Sequence, residues 1–179
     1  MQPLKPELSI ISLLDTLSLT PASDHRQRLL RISLNHQDNA LLPLEQITEI
    51  LQVNVTDVLS VPELPECVLG ICNWRGEILW LVDLCQVSGY PSPFQQEPLP
   101  PSIFSVIVRV NQQAIGVGVP AVSEVELHDL KQLQPIVSGL VSPGLLPLVW
   151  GLLPECNDPV LNIKAIAEYP LWKNQTIKA

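Results

Sequence analysis

Positive charge is scarce in this sequence: ten Lys and Arg stand against eighteen Asp and Glu, giving a net charge of −8 and a pI near 4.7. Binding nucleic acid by neutralising phosphates needs a Lys/Arg-rich face, so a general nucleic-acid binder is excluded, and attraction to an anionic membrane surface with it. Charges of either sign are only 16% of the chain, whereas apolar residues are 46%. That balance excludes wholesale disorder and leaves little solvated surface to spare, so part of the apolar surface is expected to face a partner. No apolar run approaches the roughly 18–20 residues that span a bilayer. Residues 1–24 lack the basic region, apolar core and small-residue cleavage site of a secretory leader. The expectation is a soluble cytoplasmic protein with no membrane insertion, in which the sequons at Asn54 and Asn174 carry no meaning.

The residues that usually carry chemistry are equally thin. The eight glycines are dispersed and no Gly-Lys-Ser/Thr occurs, which removes a phosphate-binding loop. The run from Gly139 to Gly144 has the wrong spacing for a nucleophile elbow, and Pro143 would occupy the position that opens the helix. Cys67 and Cys72 are separated by four residues with no second pair to answer them, and His25, His36 and His128 are scattered. Neither a metal site nor a cofactor is read from them, and the four thiols are expected to be reduced and mostly buried. A thiol hydrolase using Cys67 or Cys72 would need a base and an orienting group at recognisable spacing, and none is found, so no catalytic residue is assigned. Glu45 with Glu49, and Glu124 with Glu126, read as solvated faces; Asp83 reads as the cap of the next turn.

What is present is a strand–turn–strand signal from Pro62 to Leu84 around which the rest is organised. Val68, Gly70 and Cys72 alternate with Leu69, Ile71 and Asn73; after the turn Ile78, Trp80 and Val82 alternate with Leu79, Leu81 and Asp83. Apolar residues on both faces point to strands buried, or nearly so, on both sides. Asn73 and Gly76 supply turn chemistry, which places Trp74 and Arg75 at the tip.

Upstream, residues 1–25 form a tail in which Leu8 to Leu19 has the pattern of one short amphipathic helix, too short to be stable alone. From Gln27 the period is two: Leu30, Ile32 and Leu34 face one way, Arg31 and Ser33 the other, followed by a turn at Asn35–Asn39 and a return strand at Ala40–Leu42. Pro43 opens a predicted short helix carrying Leu44, Ile47 and Leu51, with Glu45 and Glu49 on its other face. A further strand is predicted from Thr56 to Val61, and a helical turn at Cys85–Val87. Residues 91–101 hold five prolines in eleven positions and read as an extended connector. Strands follow at Ser105–Val110, Ala114–Val119 and Val122–Val125, then a brief helix over Leu127–Leu133, a segment at Leu145–Leu153, and Val160–Leu161. Asn162 caps a helix over Ile163–Glu168, and residues 171–179 are a tail.

Many short strands with brief helices describe an all-β protein, of barrel or sandwich type. The favoured arrangement is two small five-stranded barrels, subdomain one over about 26–90 and subdomain two over about 102–170. The two halves rhyme loosely without a residue-level repeat.

Charge position says more than charge total. Between Ile32 and Val108 the only basic residue is Arg75, against nine acidic ones. Beside Trp74 it has the composition of an interface hot spot; a structural ion pair to Glu49 or Glu77, with Trp74 simply packed, fits the residues equally well.

The run from Leu42 to Leu51, Val61-Pro62, Val68 to Ile78 and Leu81 to Leu84 resembles, in order and spacing, the CheW-like domain of bacterial chemosensory adaptors. The second half is similar at Gln113–Val119, Ser123–Val125, Ile136, Gly151-Leu152 and Val160–Ile163. Val119-Pro120 replaces the family's usual Val-Asp, and the loop Ser138–Leu146 departs from its pattern. The resemblance covers about residues 26–168. It implies two SH3-like barrels and a non-enzymatic scaffold linking methyl-accepting chemoreceptors to a CheA-type histidine kinase. It implies partner contacts at Ile47, Glu49, Asn73, Trp74, Arg75 and Gly76, and a groove between the barrels for the receptor's cytoplasmic tip. A small-ligand module using that groove is the alternative.

Overall fold

Alternation decides the first strand. In the computed structural model, which describes residues 25–169, β1 (Gln27–Ser33) folds back on β2 (Asn39–Pro43) through a turn set by one side chain. Asn35 Oδ1 accepts from the backbone N–H of Gln37 and of Asp38, both at 2.7 Å.

The stretch after Pro43 departs from the predicted helix. Only Leu44–Gln46 coils, as a single 3-10 turn, and β3 (Ile47–Asn54) is a strand paired along its length with β6. Ile47, Thr48, Ile50 and Val53 are β-branched, and that pairing outweighs a helical spacing carried by three residues. Glu49 therefore lies opposite Ile107 on a sheet, not on a helix face with Glu45. The strand predicted from Thr56 to Val61 also shrinks. Val55–Asp57 forms a 3-10 turn and only Leu59 makes a bridge, to Ile71, because Pro62 and Pro65 have no N–H to extend one.

The organising hairpin forms as read, from β4 (Val68–Trp74) and β5 (Glu77–Asp83). Asp83 Oδ1 then accepts from the N–H of Cys85 at 2.9 Å and of Gln86 at 3.3 Å and starts α1 (Leu84–Val87). After the proline-rich connector come β6 (Ser102–Val110), β7 (Gln113–Val119) and β8 (Val122–His128). The helix expected over Leu127–Leu133 is confined to a 3-10 turn at Leu130–Gln132, since the ladder with β1 holds Leu127 and His128 extended. β9 (Val149–Leu152) and β10 (Pro159–Leu161) follow, and Asn162 Oδ1 accepts from Ala165 N–H at 3.1 Å to cap α2 (Ile163–Ala167). The helical pattern at Leu8–Leu19 lies outside the described residues.

The strands make two five-stranded sheets, β8-β1-β2-β10-β9 and β3-β6-β7-β5-β4, so the fold is all-β as expected. One plan is used twice: a central antiparallel hairpin, a parallel neighbour, that neighbour's antiparallel partner, and a fifth strand on the other side. After the fifth strand a 3-10 turn swings the chain round to the far edge. Leu59 bonds Ile71 of β4 at 2.8 and 2.9 Å, and Gln134 bonds Leu152 of β9 at 2.8 and 2.9 Å. Each sheet is thereby closed into a barrel, which protects its edges. Closure needs glycine. A Cβ on Gly70, whose φ is 141°, would sit 2.3 Å from the Leu59 carbonyl oxygen, and one on Gly151 would sit 2.8 Å from that of Gln134.

The rhyme between the halves is thus real at the level of topology: hairpin, three strands, capped helix, twice over. In space, however, β1 and β2 complete the barrel of β8, β9 and β10, while β6 and β7 complete that of β3, β4 and β5. Strands from both sides of the 91–101 connector enter each barrel, so the stretches 26–90 and 102–170 do not correspond to one barrel each. The parallel pairs β2–β10 and β5–β7, which need long crossovers, join the halves.

The largest apolar cluster draws on both sheets, with Leu30, Ile32 and Leu42 meeting Val106, Val108, Ile115 and Val117. Each barrel also has its own interior: Cys72, Trp74, Leu79, Leu81 and Ile107 in one, Leu29, Leu41, Leu153 and Val160 in the other. Arg31 occupies the register position in its barrel that Ile107 holds in the other. Its guanidinium donates to Glu126 and Asp158 and stands 3.8 Å from Glu124. An ionic cluster, joined by His128 Nε2 at 2.7 Å from Glu126, thus sits where the sister barrel is apolar.

Candidate partner-binding site at the hairpin tip

The β4–β5 ladder runs to the pair Trp74–Glu77 and leaves two residues for the turn. Arg75 (φ 54°) and Gly76 (φ 83°) are both left-handed, which is the primed turn that suits the twist of a hairpin. Asn73 Oδ1 accepts from Gly76 N–H at 3.3 Å and steadies it. Arg75 is consequently displayed, its side chain 70% exposed. Trp74 is not: alternation puts it on the inner face of β4 while Asn73 faces out, and it is 5% exposed. The expectation of a tryptophan at the tip is corrected accordingly.

The buried indole is what organises the tip. Trp74 Nε1 donates to Glu49 Oε2 at 2.9 Å, and the same oxygen receives Arg75 Nη2 at 2.9 Å. The Arg75 guanidinium lies 5.4 Å from the Trp74 ring centroid, and Arg109, from β6, lies 5.5 Å from it. Arg109 also stands 3.8 Å from Glu77 and donates to the Gln112 carbonyl at 3.2 Å. Arg75 is therefore ion-paired to Glu49 and at the same time exposed. An exposed pair of this kind is worth at most about 1 kcal/mol, and an exposed cation–π contact about 0.5–1 kcal/mol. Those contacts orient the guanidinium more than they stabilise the fold, and its remaining donors point to solvent.

Of the six residues predicted for partner contact, the structure brings together Glu49, Asn73, Trp74, Arg75 and Gly76. Ile47 is set apart by a register shift between Ile47 and Glu49 and packs against the shared core. Sequence reasoning missed Arg109. It lies just past the stretch that is empty of basic residues, and only the β6–β3 pairing reveals that it returns to the tip. Missed too was a groove of about 710 Å³ beside the tip, lined by Leu51, Val53, Leu59, Ile71 and Ile78, with Asp57 and Glu77 on its rim. Leu59 is 65% and Ile78 68% exposed, large apolar side chains with no structural reason to face water. A second hollow of about 570 Å³ lies where Leu34 and His36 of the β1–β2 turn meet Pro91, Pro93 and Pro120.

The thiols offer no nucleophile at Cys67 or Cys72. Cys67, Cys72 and Cys85 are buried, and burial pushes each thiol up, away from thiolate; Cys156 alone is exposed. Among the described residues no group of three or more His, Cys, Asp or Glu is placed to hold a metal ion. No helix among them is long and apolar enough to cross a membrane.

Two closed barrels sharing one core, with an anchored arginine tip beside an exposed apolar groove and buried thiols, define a binding scaffold. The chain belongs to the CheW-like domain family: the model of that family matches residues 28–152. This is a family of non-enzymatic scaffold and adaptor proteins of chemotaxis. Among solved structures, the scaffolding protein TtCheW from Thermoanaerobacter tengcongensis is similar in fold. Its TM-score is 0.60 at 22% sequence identity, with 76% of this chain and 87% of that chain covered. No curated protein sequence matches the chain.

Proposed function

We propose that this chain couples the cytoplasmic tip of methyl-accepting chemoreceptors to the regulatory domain of a CheA-type histidine kinase. The observation that carries the reading is Arg75, the one basic side chain between Ile32 and Val108, which stands 70% exposed on a turn tip with its head group aligned by Glu49 and Trp74. An arginine held in place with donors to spare loses little freedom when a partner carboxylate or carbonyl arrives. Arginine beside tryptophan is also the composition in which hot spots are richest.

The mechanism is assembly. The barrel that carries the tip docks on the kinase's own CheW-like domain, the groove between the barrels holds the helical tip of a receptor, and signal passes because both are held in one array. The chain acts in the cytoplasm as one unit over residues 26–170, without cofactor, nucleic acid or membrane insertion.

The test is a pull-down from the source cell with tagged wild type and tagged Arg75→Glu in parallel. Recovery of a large histidine kinase or a coiled-coil receptor by the wild type alone supports the reading. Recovery of neither by two folded proteins contradicts it and moves function to binding of a small ligand.

A further inference from the structure

Positive charge in the tip-bearing barrel gathers in one place. Arg75 and Arg109 are the only Lys or Arg between Ile32 and Leu130, a stretch that holds twelve Asp and Glu. They are far apart in the chain, yet both guanidinium groups lie at one indole, Arg75 at 5.4 Å and Arg109 at 5.5 Å from the Trp74 ring centroid. β6 brings Arg109 there. Ile107 points into the barrel, and Arg109, two residues on, continues that face toward the barrel's end, opposite Ala114 of β7, which packs on the same interior. Trp74 thus has a guanidinium from the β4–β5 turn and another from β6 beside it.

The fold makes little use of the second arginine. Trp74 Nε1 already has its acceptor in Glu49. Arg109 stands 3.8 Å from Glu77, beyond hydrogen-bond distance, and the two side chains are 43% and 66% exposed, so that pair contributes little. Arg109 Nη1 donates to the Gln112 carbonyl at 3.2 Å, and among the described residues Arg109 makes no other hydrogen bond. A guanidinium has five N–H donors, so most of them remain for a partner.

We propose that Arg109 is a second partner-contact residue, and that the tip takes a pair of carboxylates on one partner segment, one at Arg75 and one at Arg109. This rests on the reading of the tip as the kinase-binding surface. Two carboxylates that share a face of a helix or a strand stand about 5–7 Å apart at their Cβ atoms, and two guanidinium groups about one ring offer a matching span. Stacking on the indole limits the freedom that each loses when the partner arrives. The acidic surroundings add selectivity. An acidic segment that misses the two arginines meets Glu77 and Asp57 on the neighbouring rim and is repelled, so the pair also fixes register.

Titration calorimetry of the full chain against the isolated regulatory domain of the cognate histidine kinase tests this, with wild type, Arg75→Gln, Arg109→Gln and the double variant. Arg109→Gln is expected to weaken binding roughly tenfold, and Arg109→Glu to weaken it further, since reversal adds repulsion. At 43% exposure the side chain can be changed without loss of the fold, which an unchanged denaturant midpoint checks, and Arg109→Lys, which keeps the charge, should recover part of the affinity. The loss from Arg109→Gln should persist in the Arg75→Gln background, and affinity should fall less steeply with added salt once Arg109 is gone. Arg109 variants that bind as wild type does, while Arg75→Gln loses affinity, overturn the proposal and leave the adaptor reading standing. A loss that disappears in the Arg75→Gln background also overturns it, because Arg109 would then only brace Arg75. Full affinity in every variant, or none in the wild type, overturns the adaptor reading and the proposal with it.

Discussion

Substitutions at Glu49 separate the two uses of its carboxylate. One oxygen takes both the indole N–H of buried Trp74 and the guanidinium of exposed Arg75, each at 2.9 Å. Glu49→Gln keeps an acceptor for the indole and loses only the ion pair, which at 70% exposure of Arg75 is worth no more than about 1 kcal/mol. Glu49→Leu removes the acceptor as well and strands a buried N–H, a cost of about 1–3 kcal/mol in addition. The leucine variant is therefore expected to lose about 2–4 kcal/mol in all. For a chain of this size that lowers Tm by roughly 4–16 °C, against at most roughly 2–4 °C for glutamine. Denaturant unfolding followed by tryptophan fluorescence reads both, and the Trp74→Phe background supplies the control, since without the indole N–H the leucine cost should fall to that of the ion pair. Equal losses for glutamine and leucine, or a leucine loss unchanged in the Trp74→Phe background, would refute this account of the tip.

Gly70→Ala is expected to cost about 3 kcal/mol, from a left-handed residue under strain and from a Cβ that forces apart the Leu59–Ile71 bridge closing the barrel; a thermal melt within 2 °C of wild type would contradict the closure argument. Arg31→Met leaves Glu126 and Asp158 without their cation, and because all three are partly exposed the loss at pH 7 should be about 2–3 kcal/mol, less than for a fully buried pair. The hydrogen bond from Arg31 holds the Glu126 carboxyl below its usual range. The folded state therefore binds fewer protons than the unfolded one, and this contribution is complete above the ordinary value of 4.5 and disappears as pH falls through the lower folded value. Arg31→Met should flatten that acid loss in unfolding series between about pH 3 and pH 6; an identical profile in the variant would contradict it. A thiol reagent on the native protein should label Cys156 within minutes and the other three cysteines only on unfolding, and rapid native labelling of Cys72 would contradict its burial.

The sequence was legible where a local rule was strong. Period two gave β1, Asn73 and Gly76 marked the hairpin, and Asp83 and Asn162 were readable as caps because a carboxylate or amide after an apolar strand has few other uses. It failed where tertiary pairing overruled a local pattern: Leu44, Ile47 and Leu51 keep helical spacing, yet β6 takes them into a strand. Trp74 was misplaced by a single step of alternation at a turn, the difference between the tip and the interior. Arg31 looked like an outward charge in a half-buried strand, and nothing local says that the barrel closes over that side and supplies Glu126 and Asp158. The exchange of hairpins between halves was out of reach for the same reason, since parallel pairing between residues as far apart in the chain as Leu81 and Gly116, or Leu41 and Val160, leaves no mark on either strand. At the candidate site, Glu49, Trp74 and Arg75 were singled out from the sequence and the structure places them in contact, while their shared oxygen, the flanking Arg109 and the apolar groove were not legible.

The central claim is that the Arg75 tip binds a partner and does not merely brace the fold. Titration calorimetry of wild type and Arg75→Glu against the isolated regulatory domain of the cognate histidine kinase tests it most directly, with denaturant midpoints measured alongside. The account predicts a loss of affinity of roughly a hundredfold or more, the size of a hot-spot deletion, with a midpoint shift corresponding to less than about 1 kcal/mol. Unchanged affinity with an intact fold would contradict it and return Arg75 to the role of a structural ion pair.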